Sequence, residues 1–457
     1  MEETQVYFSG EASYKRLGAD NTPAAEGKGR IFLEQEHFFL QGEKGEHLRL
    51  PYRNIIETEH SDYRVALGLS SGERLVLERL GYGYEDFLRL LFKLRGEMLL
   101  QDMLMHEKVR DHGFEAAYSR HDRNGNLLEE GRCEPRLYQT ALVIIPEKSD
   151  PVRIPASEII SLQDDQYRIA IATDYGEKFT FSKMGYQREG FKEALASLLH
   201  ELEQEAFLLV RELLPLAEPD QLARVARLMR DGRAALRSEI EAVSPELWDQ
   251  LEKQLESSPA SAEYKYLKSL SSSRQGAVGI KRGLMGELTG TYIWFLVPLC
   301  SADPQKPGNA VALESFSDTG SGRATYFFRL FSRKAYAAGF KSEGEMEGEV
   351  EQILRQINHC MLAVNFRREP IYLSWEKLRQ PRYVHYLYAL QRLPALRKLR
   401  ELYIGRVMHK SPEQWRRDVE ELLAFNIATP EDDARWREEA EGEEEESFED
   451  RGGITAG

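Results

Sequence analysis

The stretch Arg49-Leu50-Pro51-Tyr52-Arg53-Asn54-Ile55-Ile56 returns as Arg153-Ile154-Pro155-Ala156-Ser157-Glu158-Ile159-Ile160, 104 positions later. The same offset, with no gap, pairs Glu26-Gly27 with Glu130-Gly131, Tyr63-Arg64-Val65-Ala66 with Tyr167-Arg168-Ile169-Ala170, Gly72-Glu73 with Gly176-Glu177, and Gly81-Tyr82 with Gly185-Tyr186. It runs on through Phe87, Leu91, Leu94 and Glu97 to Phe191, Leu195, Leu198 and Glu201. A register held over so many elements means that a whole folding unit has been duplicated. Whatever one copy folds into, the other must fold into as well.

Each copy reads as hairpin strands followed by one helix. A polar segment runs to about Lys28, then Arg30–Leu33 and His37–Leu40 flank a polar turn, a hairpin pattern. The proline in Leu48–Ile56 suggests an edge or a strand start. Tyr63, Val65, Leu67 and Leu69 alternate with Arg64, Ala66 and Gly68, which puts one face on a core. Gly72 and Gly176 then supply the left-handed position of a short hairpin loop. Apolar residues at Phe87, Leu90, Leu91, Leu94, Met98 and Met105 mark a closing amphipathic helix, matched by Phe191, Leu195, Leu198, Leu202, Leu209 and Leu213.

Beyond Glu218 the pattern is helical to about Ser258, and Ser/Pro punctuation places a boundary near residue 260. The glycine-rich run Gly276–Gly283 lacks the endings of a phosphate loop or a dinucleotide fold and reads as a loop. Tyr292–Pro298, Ala310–Ser315 and Ala324–Phe331 then read as an antiparallel meander, followed by a helix over Glu345–Arg367. From Pro370 the reading is helical to about Asn426, with breaks at Pro381, Pro394 and Pro412.

The series of strand pair, short basic-proline-isoleucine strand, hairpin and closing helix resembles the pleckstrin-homology-like (PH-like) superfold, especially its GRAM-like branch. The resemblance covers under half the chain and carries no diagnostic motif. It implies a curved, partly open barrel of about seven strands capped by a helix, used as a platform for proteins, peptides or phosphoinositides. The expected fold class is therefore α+β: tandem PH-like small β-barrels over 5–108 and 109–213, each closed by a C-terminal helix. A helical connector (214–260), an α+β C-terminal domain (264–428) that is a candidate third, diverged copy with a helical extension, and an acidic disordered tail (429–457) follow.

Chemistry-bearing patterns are sparse. The three cysteines, Cys133, Cys300 and Cys360, are far apart and suggest neither disulfides nor zinc, which fits a reducing compartment. Asp122-Arg123-Asn124-Gly125-Asn126 starts like a calcium loop, but the positions that need Gly and Glu hold Leu127 and Cys133, so an Asn-Gly turn is the better account. His359-Cys360 could be imagined as a base and a thiol, yet adjacent helical residues point about 100° apart. No catalytic site, cofactor or metal is expected. An enzyme built within 264–370 is kept as a third alternative.

Between Arg382 and Lys410 basic residues interleave with Tyr383, Tyr386, Tyr388 and Tyr403. Arg392, Arg397, Lys398, Arg400, Arg406 and Lys410 are the candidate partner-binding residues, able to grip phosphates beside stacking rings. The alternative is a solvated helical face or an internal partner for the tail. That tail, Glu431–Asp450, holds twelve carboxylates against Arg435 and Arg437, a block that repels itself and can compete for a basic surface. An acidic tail behind tandem PH-like units is similar in composition to histone-chaperone subunits.

A net charge of −15 argues against a general nucleic-acid or anionic-membrane binder. Phosphoinositide is ranked below protein because the turn taken as joining the first two strands, Glu34-Gln35-Glu36 or Tyr138-Gln139-Thr140, lacks Lys and Arg. No leader or membrane span is read, and a cytoplasmic location is expected. The leading expectation is a non-enzymatic adaptor or scaffold that binds protein or peptide partners. The alternative is a nucleic-acid-associated or chaperone-like factor using 382–410 and the tail.

Overall fold

The computed structural model describes residues 5–43, 45–104, 107–283, 290–301, 307–317, 320–321, 324–340 and 342–428. Expectations for Met105 and for the acidic tail lie outside the described residues. The chain is α+β with several antiparallel sheets. It divides into two compact units, residues 1–154 with 159–195 and residues 155–158 with 196–457.

The first unit holds two sheets. One is built from β1 (Val6–Leu17), β2 (Pro23–Glu34), β3 (His37–Gly42), β4 (His47–Pro51), β5 (Ile55–Ser61), β6 (Arg64–Leu69) and β7 (Arg74–Glu78), in the order β4-β3-β2-β1-β7-β6-β5. The other is built from β8 (Val109–Asp111), β9 (Ala116–His121), β10 (Leu127–Tyr138), β11 (Ala141–Pro146), β12 (Val152–Pro155), β13 (Ile159–Asp165), β14 (Arg168–Thr173) and β15 (Lys178–Ser182). Its order is β12-β11-β10-β9-β15-β14-β13, with β8 beside β10, so the two sheets share one strand order.

The segment before Lys28, read from sequence as polar and without a strand, is corrected by β1, which pairs with β2 from Val6 opposite Glu34 to Leu17 opposite Pro23. Only Ala12 and Tyr14 of β1 are buried, and its other larger apolar residues are clustered at its ends, so the strand carries little apolar alternation to read. Elsewhere the alternation is plain. Ile31, Leu33, Phe38 and Leu40 are buried while Phe32 and Phe39 between them stay half-exposed. Gly72 and Gly176 take the expected left-handed conformation, at φ 85° and 95°.

Each sheet is followed by a helix, α1 (Tyr84–Leu104) and α2 (Gln187–Leu213). Helix α1 buries Phe87, Leu88 and Leu91 among Ile31, Leu33, Phe38 and Leu40. Phe191 of α2 meets Phe114 and Phe181 edge-on at 5.3 and 5.4 Å. The opposite side of α1 is buried too. Arg95, 1% exposed, donates to the Ile55 carbonyl at 3.2 and 3.1 Å and pairs with Asp150, while Leu100 packs with Tyr138, Val143 and Ile145 of the second sheet.

The second unit is organised on a third sheet: β16 (Ala235–Leu236), β17 (Ala277–Arg282), β18 (Thr291–Leu299), β19 (Ala310–Ser317), β20 (Gly320–Ser321), β21 (Ala324–Arg329) and β22 (Tyr403–Met408). Its order, β16-β17-β18-β19-β21-β22 with β20 beside β19, differs from that of the first two. The helices are α3 (Pro219–Leu228), α4 (Arg237–Glu241), α5 (Pro245–Glu256), α6 (Ser261–Ser269), α7 (Arg333–Ala338), α8 (Glu343–Ala363), α9 (Glu369–Tyr372), α10 (Trp375–Leu378), α11 (Val384–Arg392), α12 (Pro394–Leu402) and α13 (Pro412–Ala428). Trp248, Tyr264 and Trp415, from α5, α6 and α13, share one core with Phe295, Val297 and Phe327 of the sheet.

Two readings of this region are corrected. The glycine-rich run Gly276–Gly283 contains the buried strand β17, because Gly279 makes room for the Trp294 indole: a Cβ there would lie 2.3 Å from its Nε1. The stretch read as helical from Pro370 to Asn426 is interrupted by β22. Tyr403, Ile404 and Val407 are buried there, and the strand pairs antiparallel with β21.

Candidate functional site

Each sheet of the first unit carries an open groove. The first, about 570 Å³, is lined from Glu11 on β1, through Lys28 and Arg30 on β2 and Gln41 on β3, to Glu43 and Arg79. The second, about 650 Å³, is lined by the counterparts Glu115, Arg132, Glu134, Ile145, Glu147 and Lys183. All ten residues lining the first groove have their partner 104 positions on among those lining the second. In the first sheet Gly29 lies opposite Gly42, and a Cβ on Gly29 would sit 2.5 Å from the Gln41 carbonyl oxygen, so this approach requires glycine.

Four charges keep their sign in both copies: Glu11 and Glu115, Lys28 and Arg132, Glu43 and Glu147, Arg79 and Lys183. Arg79 and Lys183 are exposed and left-handed, at φ 60° and 57°. Glycine is the residue that such a backbone favours, so a cation held there in both copies is kept for its side chain. Acid and base alternating along a groove suit a polar peptide, which offers both signs, better than a single anion. Sequence reading missed these grooves, although the offset itself was the signal that could have found them.

The basic segment 382–410 breaks into α11, α12 and β22, and its six candidate residues divide between interior and surface. Arg400 is buried, donates to the carbonyls of Pro370, Ile371 and Leu373 at 3.2, 3.3 and 2.6 Å, and lies 4.8 Å over the Trp375 ring. Arg406 is buried 4.1 Å over Tyr372. Arg397 caps the end of α11 through the carbonyls of Leu390 and Gln391 at 3.3 and 2.7 Å, and Lys398 pairs with Glu401 at 3.1 Å. Arg392 is half-buried at the end of α11, and Lys410 is exposed after β22.

Two clusters of buried titratable groups stand out in the second unit. His359 pairs with the buried Glu158, while Cys360 points into the core. Burial pushes the Cys300 and Cys360 thiols up to about 12, which keeps them protonated at neutral pH. A second cluster surrounds Glu314 on β19, which is fully buried. Its carboxylate accepts from the Ser315 amide at 2.9 Å, the Thr325 hydroxyl at 2.6 Å and His409 Nε2 at 3.0 Å, while Trp415 Nε1 donates to Thr325 at 3.0 Å. Burial opposes charge on His409, but the hydrogen bond and charge of Glu314, with Glu263 behind it, hold its pKa above the ordinary histidine value.

In the Asp122 turn the carboxylate accepts from the amides of Asn124 and Asn126, both at 2.8 Å, and Gly125 is left-handed. This is the expected Asn-Gly turn. Among the described residues, no helix is long and apolar enough to cross a membrane.

No family model matches the chain. No curated protein matches it. Among solved structures it is similar to one described as "Structure of the Spt16D Pob3N heterodimer", at 12% identity over 37% of this chain and 85% of that one, with a TM-score of 0.14.

Proposed function

We propose that the protein is a non-enzymatic cytoplasmic adaptor whose first unit is a tandem of PH-like modules, each offering its groove to a protein or peptide partner. The observation that carries this reading is the pair of grooves at identical positions in two sheets of identical order, with four charges preserved between them. A duplicated surface that keeps exposed charge, including a cation on a backbone better suited to glycine, supports recognition over packing. Protein is favoured over phosphoinositide by the turns that β1 reveals between the true first two strands. Gly18–Thr22 carries Asp20 and no base, and Asp122–Asn126 carries Arg123 beside Asp122. The nucleic-acid reading draws less support, since Arg400 and Arg406 are turned inward.

The test is affinity capture from native lysate with the full chain and with a Lys28→Glu/Arg132→Glu double variant. A partner held by the parent and lost by the variant is the expected result. Capture that ignores both grooves, or repeated recovery of no partner, would overturn the reading.

A further inference from the structure

Helix α1 does in the second sheet what no other helix does in the first among the described residues. Its Glu97 accepts from both terminal nitrogens of Arg136, at 3.0 and 2.8 Å. Gly96 comes so near that a Cβ there would lie 3.6 Å from Pro151 and 3.9 Å from Ile145, and Leu100 packs on Tyr138, Val143 and Ile145. Arg89 and Lys93 of the same helix face reach into the second groove.

The offset carries Arg136, Val143 and Ile145 back to Phe32, Phe39 and Gln41 on β2 and β3. In the second sheet this outer face is covered, with Val143 and Ile145 at 0% and 9% exposure. In the first sheet Phe32 and Phe39 are half-exposed. Their rings lie 5.7 Å apart, His47 stacks on Phe39 at 6.1 Å with an interplanar angle of 2°, and the Arg30 guanidinium sits 5.7 Å over Phe32. Among the described residues, the groove beside them is lined by the first copy.

Charge says what the missing helix looks like. The second groove's own strands and turns contribute a net −1, and α1 brings +1 through Arg89, Lys93 and Glu97. The first groove has Arg30 where the second has Glu134, which turns its sum to +1. A helix that complements it must carry acids where α1 carries Arg89 and Lys93. Helix α1 of a second copy of the chain has the wrong sign.

We propose that the outer face of β2 and β3, around Arg30, Phe32 and Phe39, binds an amphipathic helix of a partner protein with an acidic stripe, in the pose α1 adopts on the second sheet. This rests on the adaptor reading and names the class of partner for its first groove. The recognition mode is a helix laid in a groove, anchored by aromatic contact and selected by charge.

The test uses two fluorescein-labelled peptides of 21 residues, the length of α1. Both keep Gly96, Glu97 and Leu100 of α1 at their spacing on an alanine background. One retains Arg89 and Lys93, and the other carries Arg89→Glu and Lys93→Glu. Fluorescence anisotropy with the full chain should show saturable binding of the acidic peptide at least about tenfold tighter than of the basic one. Phe39→Ala should weaken the acidic peptide by about tenfold. Arg30→Glu, which installs what the second sheet already has at that position, should reverse the preference.

Equal affinity for the two peptides, no binding of either, or indifference to both substitutions overturns the proposal. So does a dimer of the full chain in sedimentation that Phe39→Ala dissociates, since the face would then belong to self-association. If the peptides fail while lysate capture persists and remains sensitive to Lys28→Glu/Arg132→Glu, this inference falls and the adaptor reading stands.

Discussion

Replacing His409 with leucine removes the one cationic partner that, among the described residues, touches the fully buried Glu314 carboxylate. Breaking a buried pair from one side costs about 3–5 kcal/mol, because the remaining charge is left without its partner. The low end, about 3 kcal/mol, applies here, since Glu314 keeps the Ser315 amide and the Thr325 hydroxyl and the His409 side chain is 13% exposed. The cost must depend on pH with a definite sign. The pKa of His409 in the folded protein lies above its unfolded value of about 6.5. Its stabilisation is therefore complete below that unfolded value and is lost as pH rises through the folded one.

Urea unfolding at pH 5.5 and pH 9 measures the difference. All five tryptophans, at positions 248, 294, 375, 415 and 436, lie in the second unit's sequence, so their fluorescence reports that unit alone. His409→Leu should lose most at pH 5.5 and much less at pH 9, and adding Glu314→Leu should recover most of the loss. A penalty equal at both pH values, or under about 1 kcal/mol at pH 5.5, would refute the pairing as a source of stability.

Gly279→Ala should cost about 2–4 kcal/mol, from overpacking against the Trp294 ring and loss of its 2.8 Å bond to the Gly232 carbonyl. By the same tryptophan signal, Gly348→Ala, in open space on α8, should be neutral or stabilising. In the first unit, Arg153→Ala strands Glu107, which pairs with Arg153 at 2.6 Å with both side chains 5% exposed, and should cost about 3–5 kcal/mol by amide hydrogen exchange. Burial would raise the Glu107 pKa, but the charge and hydrogen bond of Arg153 and the bonds from Thr140 hold it below 4.5. Its contribution is thus present above that value and lost as pH falls through the folded one, and the variant should flatten acid unfolding.

How much was legible follows from what each element needed. Strands β2, β3 and β7 carry short apolar runs bounded by polar turns, and β6 alternates Val65, Leu67 and Leu69 with small residues; those patterns were readable. Strand β1 satisfies its hydrogen bonds with Ala12 and Tyr14 as its only buried apolar side chains, so no local pattern announced it. Missing it moved the first inter-strand turn from Gly18–Thr22 to Glu34-Gln35-Glu36. Gly279 looked like a loop residue because its reason, a tryptophan from the neighbouring strand, is fifteen residues away. The basic run 382–410 showed charge but not direction. Whether an arginine faces water or three carbonyl oxygens, as Arg400 does, is decided by the partners of its helix. The grooves were written in the offset, yet only strand pairing brings residues 11, 28, 41 and 79 to one place.

Helix α1 has two masters: Phe87 and Leu91 serve one core, Gly96 and Leu100 serve the neighbouring sheet, and Arg95 holds both through the Ile55 carbonyl and Asp150. A chain cut between the copies would leave the upstream piece with a bare flank and the downstream piece without its lid. Beads on a string can be reshuffled by recombination one at a time. Modules that lend each other a wall are passed on as a couple, and each is then free to drift only as far as the other permits.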